Sequence, residues 1–304
     1  MAISRTQLVK ELEPGLNALF GLEYKRYENQ HAEIYVTESS DRAFEEEVML
    51  SGFANAQTKA EGSGVAFDSA QETYTARYTH DTIALAFAIT EEAIEDNLYD
   101  RISSRYTKAL ARSMSNAKQV KAVTPLIDGL PSTDGFDSGD GVSLFNTAHT
   151  TVSGTNVKNT LTTQADLNET SLEQALIDIA AMTDERGLRV AARAMKMIIP
   201  SANQFTAERL MKSQGRVGTA DNDINAVVSM GMVPQGYRVN NFLTDTDSWY
   251  LITDVPNGMK MFQRAALKTA MEGDFDTGNV RYKARERYSF GVSDYRGIFG
   301  CEGA

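Results

Sequence analysis

The stretch from Thr90 to about Lys121 constrains this chain more than any other, because it has the marks of one long helix. Thr90 offers a side-chain oxygen to the first free backbone N–H groups. Glu91, Glu92, Glu95, Asp96 and Asp100 then place negative charge at the positive end of the helix dipole. Arg101, Arg105, Lys108, Arg112, Lys118 and Lys121 follow toward the end where backbone carbonyls lack partners. Ile94, Leu98, Ile102, Tyr106, Leu110 and Met114 recur every four residues, with Ala93, Ala109 and Ala117 beside them, which predicts one narrow apolar stripe. At ~1.5 Å per residue such a helix is a rod of about 45 Å, a spine that needs a sheet or another chain to lie on. Pro125 is expected to end it.

The rest of the composition supplies a core but little chemistry. The chain has 304 residues, of which 42% are hydrophobic, enough for one large or two ordinary domains. A net charge of -11 disfavours coating nucleic acid or an anionic membrane through bulk charge. The single cysteine, Cys301, excludes an internal disulfide and any cysteine-built metal cluster, and a reducing cytoplasm fits. The first residues lack the apolar core of a signal peptide, and no run approaches a membrane span, so no membrane partner is expected.

Residues 1 to 43 carry Leu8, Leu12, Leu16, Leu19 and Phe20, then Tyr24, Tyr27, Ile34, Tyr35 and Val36. Pro14-Gly15 is expected to break any helix there, giving an arm that packs in pieces, on a neighbour or on its own domain. From Phe44 to Thr82 the chain predicts an extended two-stranded loop. Its polar, glycine-spaced middle, Ser51 to Ala70, cannot bury enough apolar area to hold itself and is ordered only on something else. Ile83, Leu85, Phe87 and Ile89 alternate with Ala84, Ala86 and Ala88, which predicts a buried strand feeding the spine.

Beyond Pro125, residues 128 to 160 are dense in Asp, Gly, Ser, Thr and Asn and predict a long surface loop around Val142, Leu144 and Phe145. A helix from about Ser171 to Glu185, a strand at Met195 to Pro200, a helix near Asn203 to Lys212, and strands at Tyr237 to Leu243 and Trp249 to Asp254 follow. This alternation predicts a compact α/β lobe over 125–264. In the last strand, Val280, Tyr282, Ala284, Tyr288, Phe290 and Val292 face one way, and Arg281, Lys283, Arg285 and Arg287 the other. Glu286 falls on the apolar side, where it must meet a cation.

No catalytic, metal or cofactor site is expected. His31, His80 and His149 are widely spaced and predict surface or hydrogen-bonding histidines. There is no G-x-S-x-G elbow, P-loop or dinucleotide fingerprint, and the carboxylates near Asp137 and Asp140 lack EF-hand spacing. Lys59 predicts an ordinary exposed lysine. The basic strip Arg281 to Arg287 lacks interleaved aromatics for base stacking. Pairing with acidic segments such as Glu45, Glu46 and Glu47, in the same chain or a neighbour, is favoured over nucleic-acid contact.

Three patches carry a family resemblance. They are Thr82 to Glu92 with Asp96-Asn97 at the strand-to-spine junction, Leu144-Phe145-Asn146-Thr147-Ala148-His149, and Phe275 through Val280 and Arg285-Glu286-Arg287 to Val292. In their order along the chain they resemble the HK97-type major capsid proteins of tailed bacteriophages, and within these the Mu-like major head subunits. The resemblance implies an α+β HK97-like capsid fold with an N-terminal arm (1–43), an extended β loop (44–82), a peripheral domain of spine helix (90–121) and sheet (83–124 and 265–304), and an α/β axial domain (125–264). It implies a major capsid protein, not an enzyme, assembled in the host cytoplasm into pentamers and hexamers of an icosahedral virion shell. Double-stranded DNA would be enclosed without sequence specificity, with a separate scaffolding protein and a portal as partners. Candidate subunit-interface residues are Glu45, Glu46, Glu47, Phe53, Lys59, Phe67, Arg281, Arg285, Glu286 and Arg287. An encapsulin-like compartment shell and an α/β enzyme with a carboxylate-based site remain the alternatives.

Overall fold

The computed structural model describes residues 5–90, 92, 99–133, 135–215, 223–274 and 278–304, with side chains described from residue 14 onward and, in the long helix, from residue 104. In chain order its elements begin with helix α1 (Arg5–Arg26) and strands β1 (Val36–Ser39), β2 (Phe44–Leu50), β3 (Glu72–Thr79) and β4 (Asp81–Ile89). Helix α2 (Tyr99–Asp128), strands β5 (His149–Thr150) and β6 (Asn156–Val157), helix α3 (Glu169–Ala181) and strand β7 (Ala194–Ile199) follow. Helices α4 (Gln204–Lys212) and α5 (Ala226–Ser229) lead into β8 (Tyr237–Val239), β9 (Trp249–Thr253), β10 (Met259–Gly273), β11 (Val280–Val292) and β12 (Ile298–Cys301). The result is an α+β chain.

Two long antiparallel strands, β10 and β11, form the centre of a sheet ordered β1-β10-β11-β4. β10 runs across residue 264, where the two expected lobes meet in sequence. Helices α1 and α2 cover one face of this sheet. The period-two pattern of β11 is obeyed: Val280, Tyr282, Ala284, Tyr288 and Val292 are buried, while Arg281, Lys283 and Arg285 are exposed.

The spine helix departs from expectation in two ways. It runs through Pro125 to Asp128, where Leu126 and Leu130 are buried in the main core and two buried tyrosines donate hydroxyls to carbonyls of its last two turns. Tyr35 Oη donates to the Ala122 carbonyl at 2.6 Å and Tyr250 Oη to the Leu126 carbonyl at 3.2 Å. The buried face also follows 107, 110, 111, 114, 115, 118, 119, 122, 123 and 126, leaving Tyr106 exposed. A stripe stepped by four overshoots each turn by about 40° and so walks off the face. In the expected start of the spine, Glu91 and residues 93–98 lie outside the described residues, as do the side chains of Ile102, Leu8 and Leu12, and Phe275.

Nor does Pro14-Gly15 break α1, which is continuous from Arg5 to Arg26. Its buried Leu16 and Phe20 pack with Leu110, Ala111, Met114, Tyr282 and Ala284. Asn17 Oδ1 accepts from Thr269 Oγ1 at 2.7 Å and Tyr282 Oη at 2.8 Å. These contacts hold the arm helix on its own sheet.

The second sheet, β12-β9-β7-β8, is mixed and forms the other lobe with α3 to α5. Asn168 and Ser171 build a reciprocal cap at the start of α3, each side chain accepting from the other's backbone N–H at 2.9 and 3.0 Å. The 128–160 segment is a surface loop only in part, with residues 131–133 and 152–156 exposed and its middle drawn into the core. Leu144, Phe145, His149 and Asn159 are fully buried, and Asn159 Nδ2 donates to the carbonyls of Leu144 at 2.7 Å and Tyr295 at 3.1 Å. Ser143 and Asn159 satisfy backbone carbonyls there and so belong to the core.

Candidate assembly interface

Strands β2 and β3 pair only with each other, forming a two-stranded hairpin whose end segment, residues 51–71, contains no strand. Its base is seated by two tyrosines on two glycines. A Cβ at Gly291 would come within 2.6 Å of the Tyr78 ring, and one at Gly139 within 2.5 Å of the Tyr74 ring. Tyr78 Oη also hydrogen-bonds Ser293 Oγ. At the turn into β4, buried His80 contacts Ser40 Oγ at 2.9 Å and Ser289 Oγ at 3.0 Å. Burial, then the nearby Arg287, holds its imidazole pKa below the ordinary value.

Toward its end the hairpin becomes exposed. Phe53 and Val65 are more than half exposed, Phe67 is 99% exposed, and Lys59 stands in solvent. Nothing in the described chain covers these apolar side chains, in keeping with the expectation that the segment lacks its own core.

The acidic run at the hairpin base is used locally. Glu45 accepts from Ser40 Oγ at 2.7 Å, and Glu46 lies 3.7 Å from Arg77. Glu47 pairs with buried Lys260, whose Nζ also lies 3.2 Å from Glu38. Lys260 therefore ties β1 and β2 to β10. The expected pairing of these glutamates with the cationic strip does not occur within the chain: Glu46 and Glu47 meet Arg77 and Lys260, and Glu45 meets the Ser40 hydroxyl. Arg281 pairs instead with Asp274, and among the described residues Lys283, Arg285 and Arg287 have no carboxylate within ion-pair distance.

Glu286 meets the cation expected of it. Lys118 Nζ lies 2.7 Å from its carboxylate, both side chains are buried, and Lys118 also donates to Tyr24 Oη at 3.2 Å. Burial raises the Glu286 pKa against the attraction of Lys118. The pair joins α1, α2 and β11 beneath the sheet, so Glu286 belongs to the interior of the subunit. His31 and His149 are also buried hydrogen-bonding groups: His149 Nδ1 lies 2.6 Å from Asp140 and its ring stacks on Tyr295 at 3.9 Å. No group of metal-ligating side chains occurs among the described residues. Likewise no described helix is long and apolar enough to cross a membrane.

One surface differs from the sequence expectation. The strand β4 is not buried but is the edge of its sheet, and Ala84, Ala86 and Ala88 are exposed. Opposite them in register stand Arg285, Lys283 and Arg281, so the outer face carries a row of alanines beside a row of cations. On the inner side, Leu85 and Tyr106 are each about half exposed (46% and 53%) beside the Phe87 ring. The alternation of large and small apolar residues was visible, but it looks the same for a strand covered on both faces and for one waiting to be covered.

Comparison with known proteins follows the same lines. No curated protein matches the chain. Solved structures share its fold across nearly the full length. The virus-like particle protein of Pyrococcus furiosus is 9% identical, with a TM-score of 0.53 over 95% of this chain and 98% of that one. The capsid protein of Myoviridae phage XM1 is 11% identical, with a TM-score of 0.53 over 89% and 90%. A procapsid protein of bacteriophage JBD30 is 14% identical, with a TM-score of 0.52 over 98% of this chain and 75% of that one. At these identities the likeness is one of fold, the HK97 fold. The family model described as phage capsid protein matches residues 72–300, well over half of the chain. Sequence family and fold agree, and the chain belongs to the phage capsid protein family.

Proposed function

We propose that the chain is the major head subunit of an icosahedral shell, assembling as pentamers and hexamers around double-stranded DNA in the host cytoplasm. The observation that carries this reading is the hairpin: in a phage capsid protein, a projection with Phe53, Val65 and Phe67 in solvent gains a core only by lying on a neighbour. Such contacts, at ~25 cal/mol per Å² of apolar area, are individually modest and reversible, which lets misplaced subunits leave. A net charge of -11 suits a container that holds DNA without gripping it. A separate scaffolding protein and a portal complete the assembly, and the subunit's role is structural rather than catalytic. The residues proposed to lie at subunit contacts are Phe53, Lys59 and Phe67 on the hairpin end, and Arg281, Arg285 and Arg287 on the strand face. Particles recovered from phage-producing cells are expected to contain nuclease-protected double-stranded DNA of unrestricted sequence. Particles filled with a single protein species instead would contradict the reading in favour of an encapsulin-like compartment.

A further inference from the structure

Helix α2 carries a run of positive charge with nothing of opposite sign beside it in sequence. From Arg101 to Ile127 there are six cations and no aspartate or glutamate, in a chain with 41 acidic residues against 30 basic ones. Two of the six are used inside the subunit: Lys118 pairs with Glu286 at 2.7 Å and Lys121 with Asp81 at 2.6 Å. Arg105, Lys108 and Arg112 are exposed and have no carboxylate within ion-pair distance among the described residues. Packing fixes where they point. Leu110, Ala111 and Met114 are buried against the arm helix and the sheet, with Thr107 and Ser115 buried beside them. The helical period therefore turns Arg105, Arg112 and Asn116 directly away from the sheet, with Lys108 at their side, along about 16 Å of helix.

What else stands on this face selects the partner. A protein partner is held by large apolar or aromatic anchors at the centre of the contact. Between Arg105 and Asn116 the outward line offers only Ala109 and Ser113 beside the cations, and Tyr106 stands at its flank near the Phe87 ring. A phosphate backbone needs only what is present, a rigid row of cations with hydroxyl and amide donors from Ser113 and Asn116. No aromatic ring lies on the line for unpaired bases to stack on, which disfavours a single strand. The cations of β11 stand on the opposite face of the sheet, where Glu272 and Asp274 lie beside Arg281.

We propose that the outward face of α2, through Arg105, Lys108 and Arg112, rests on the phosphates of the enclosed double-stranded DNA. Each subunit then makes a few contacts that carry no sequence information, because phosphates are the same at every step. The acidic excess elsewhere keeps the duplex from adhering over the whole wall, so the contact stays local. This inference rests on the shell reading and names the side chains that meet its contents.

The test is a chemical footprint of filled particles of the unsubstituted chain, set against the same particles after opening and nuclease digestion of their DNA. Acetylation with an amine-reactive ester reads Lys108, and phenylglyoxal reads Arg105 and Arg112, each by peptide mass. The three side chains are expected to react several-fold more slowly in the filled particles than in the emptied ones. Equally fast reaction in both marks a merely solvated face and overturns the DNA contact. Equally slow reaction in both marks a protein cover, such as a scaffolding segment or a second copy, and also overturns it. Either result leaves the shell reading intact, because the particles still hold DNA. Particles without nuclease-protected DNA overturn that reading and this inference together.

Discussion

His31 shows how much one buried side chain can couple this subunit to pH. Its backbone N–H donates to Gln119 Oε1 at 2.9 Å, and its ring Nδ1 lies 2.9 Å from Gln119 Nε2, so the neutral ring accepts there. Burial first, and the Lys118 charge second, push its pKa down to about 4 from an ordinary 6.5. A histidine depressed in the folded state contributes stability that is fully present above pH ~6.5 and is lost as pH falls toward 4. The slope approaches ~1.4 kcal/mol per pH unit in that window, up to about 3 kcal/mol in all. Thermal denaturation between pH 7 and pH 4 is expected to show this loss, and His31→Gln to flatten it; equal slopes in both proteins would contradict the assignment. The sequence marked His31 only as a hydrogen-bonding or surface residue. Its partner sits 88 positions away in the chain, so spacing could not announce it.

At the scale of elements, the Lys118–Glu286 pair is where helix, arm and sheet meet. Lys118→Met leaves a buried carboxylate without its cation and is expected to cost about 3–5 kcal/mol, whereas Lys118→Met with Glu286→Leu recovers most of it. Chemical denaturation of the single and double variants checks this, and a single variant as stable as the parent would refute it. Glu286 was legible in the sequence because one carboxylate interrupts an otherwise regular apolar alternation. Other elements were less so. Pro14 and Pro125 sit inside helices held by tertiary packing, which outweighs local propensity. The 128–160 segment has a loop's composition, yet its Asn159 and His149 bond inside the core, and composition does not record where a hydrogen bond goes. The two-stranded hairpin was legible, since a polar stretch between two alternating runs has few other structures open to it. What seats it was not, because Tyr74 on Gly139 and Tyr78 on Gly291 are long-range fits of shape.

For the whole molecule, order along the chain carried more than any single motif. Arm, hairpin, edge strand, spine, second lobe and returning strand follow one another as in the HK97 fold, and the family match over residues 72–300 agrees. The subunit packs one face of its arm helix and of its spine against its own sheet, yet leaves the hairpin end and the β4 edge open. The central claim is therefore that folding and assembly are separable, with the hairpin end serving only the second. The most direct measurement is negative-stain electron microscopy of the full chain and of a variant lacking residues 53–66, each first sized by light scattering. The account predicts closed shells tens of nanometres across from the full chain, and a folded, soluble subunit without shells from the variant. Unchanged particles from the variant would contradict it.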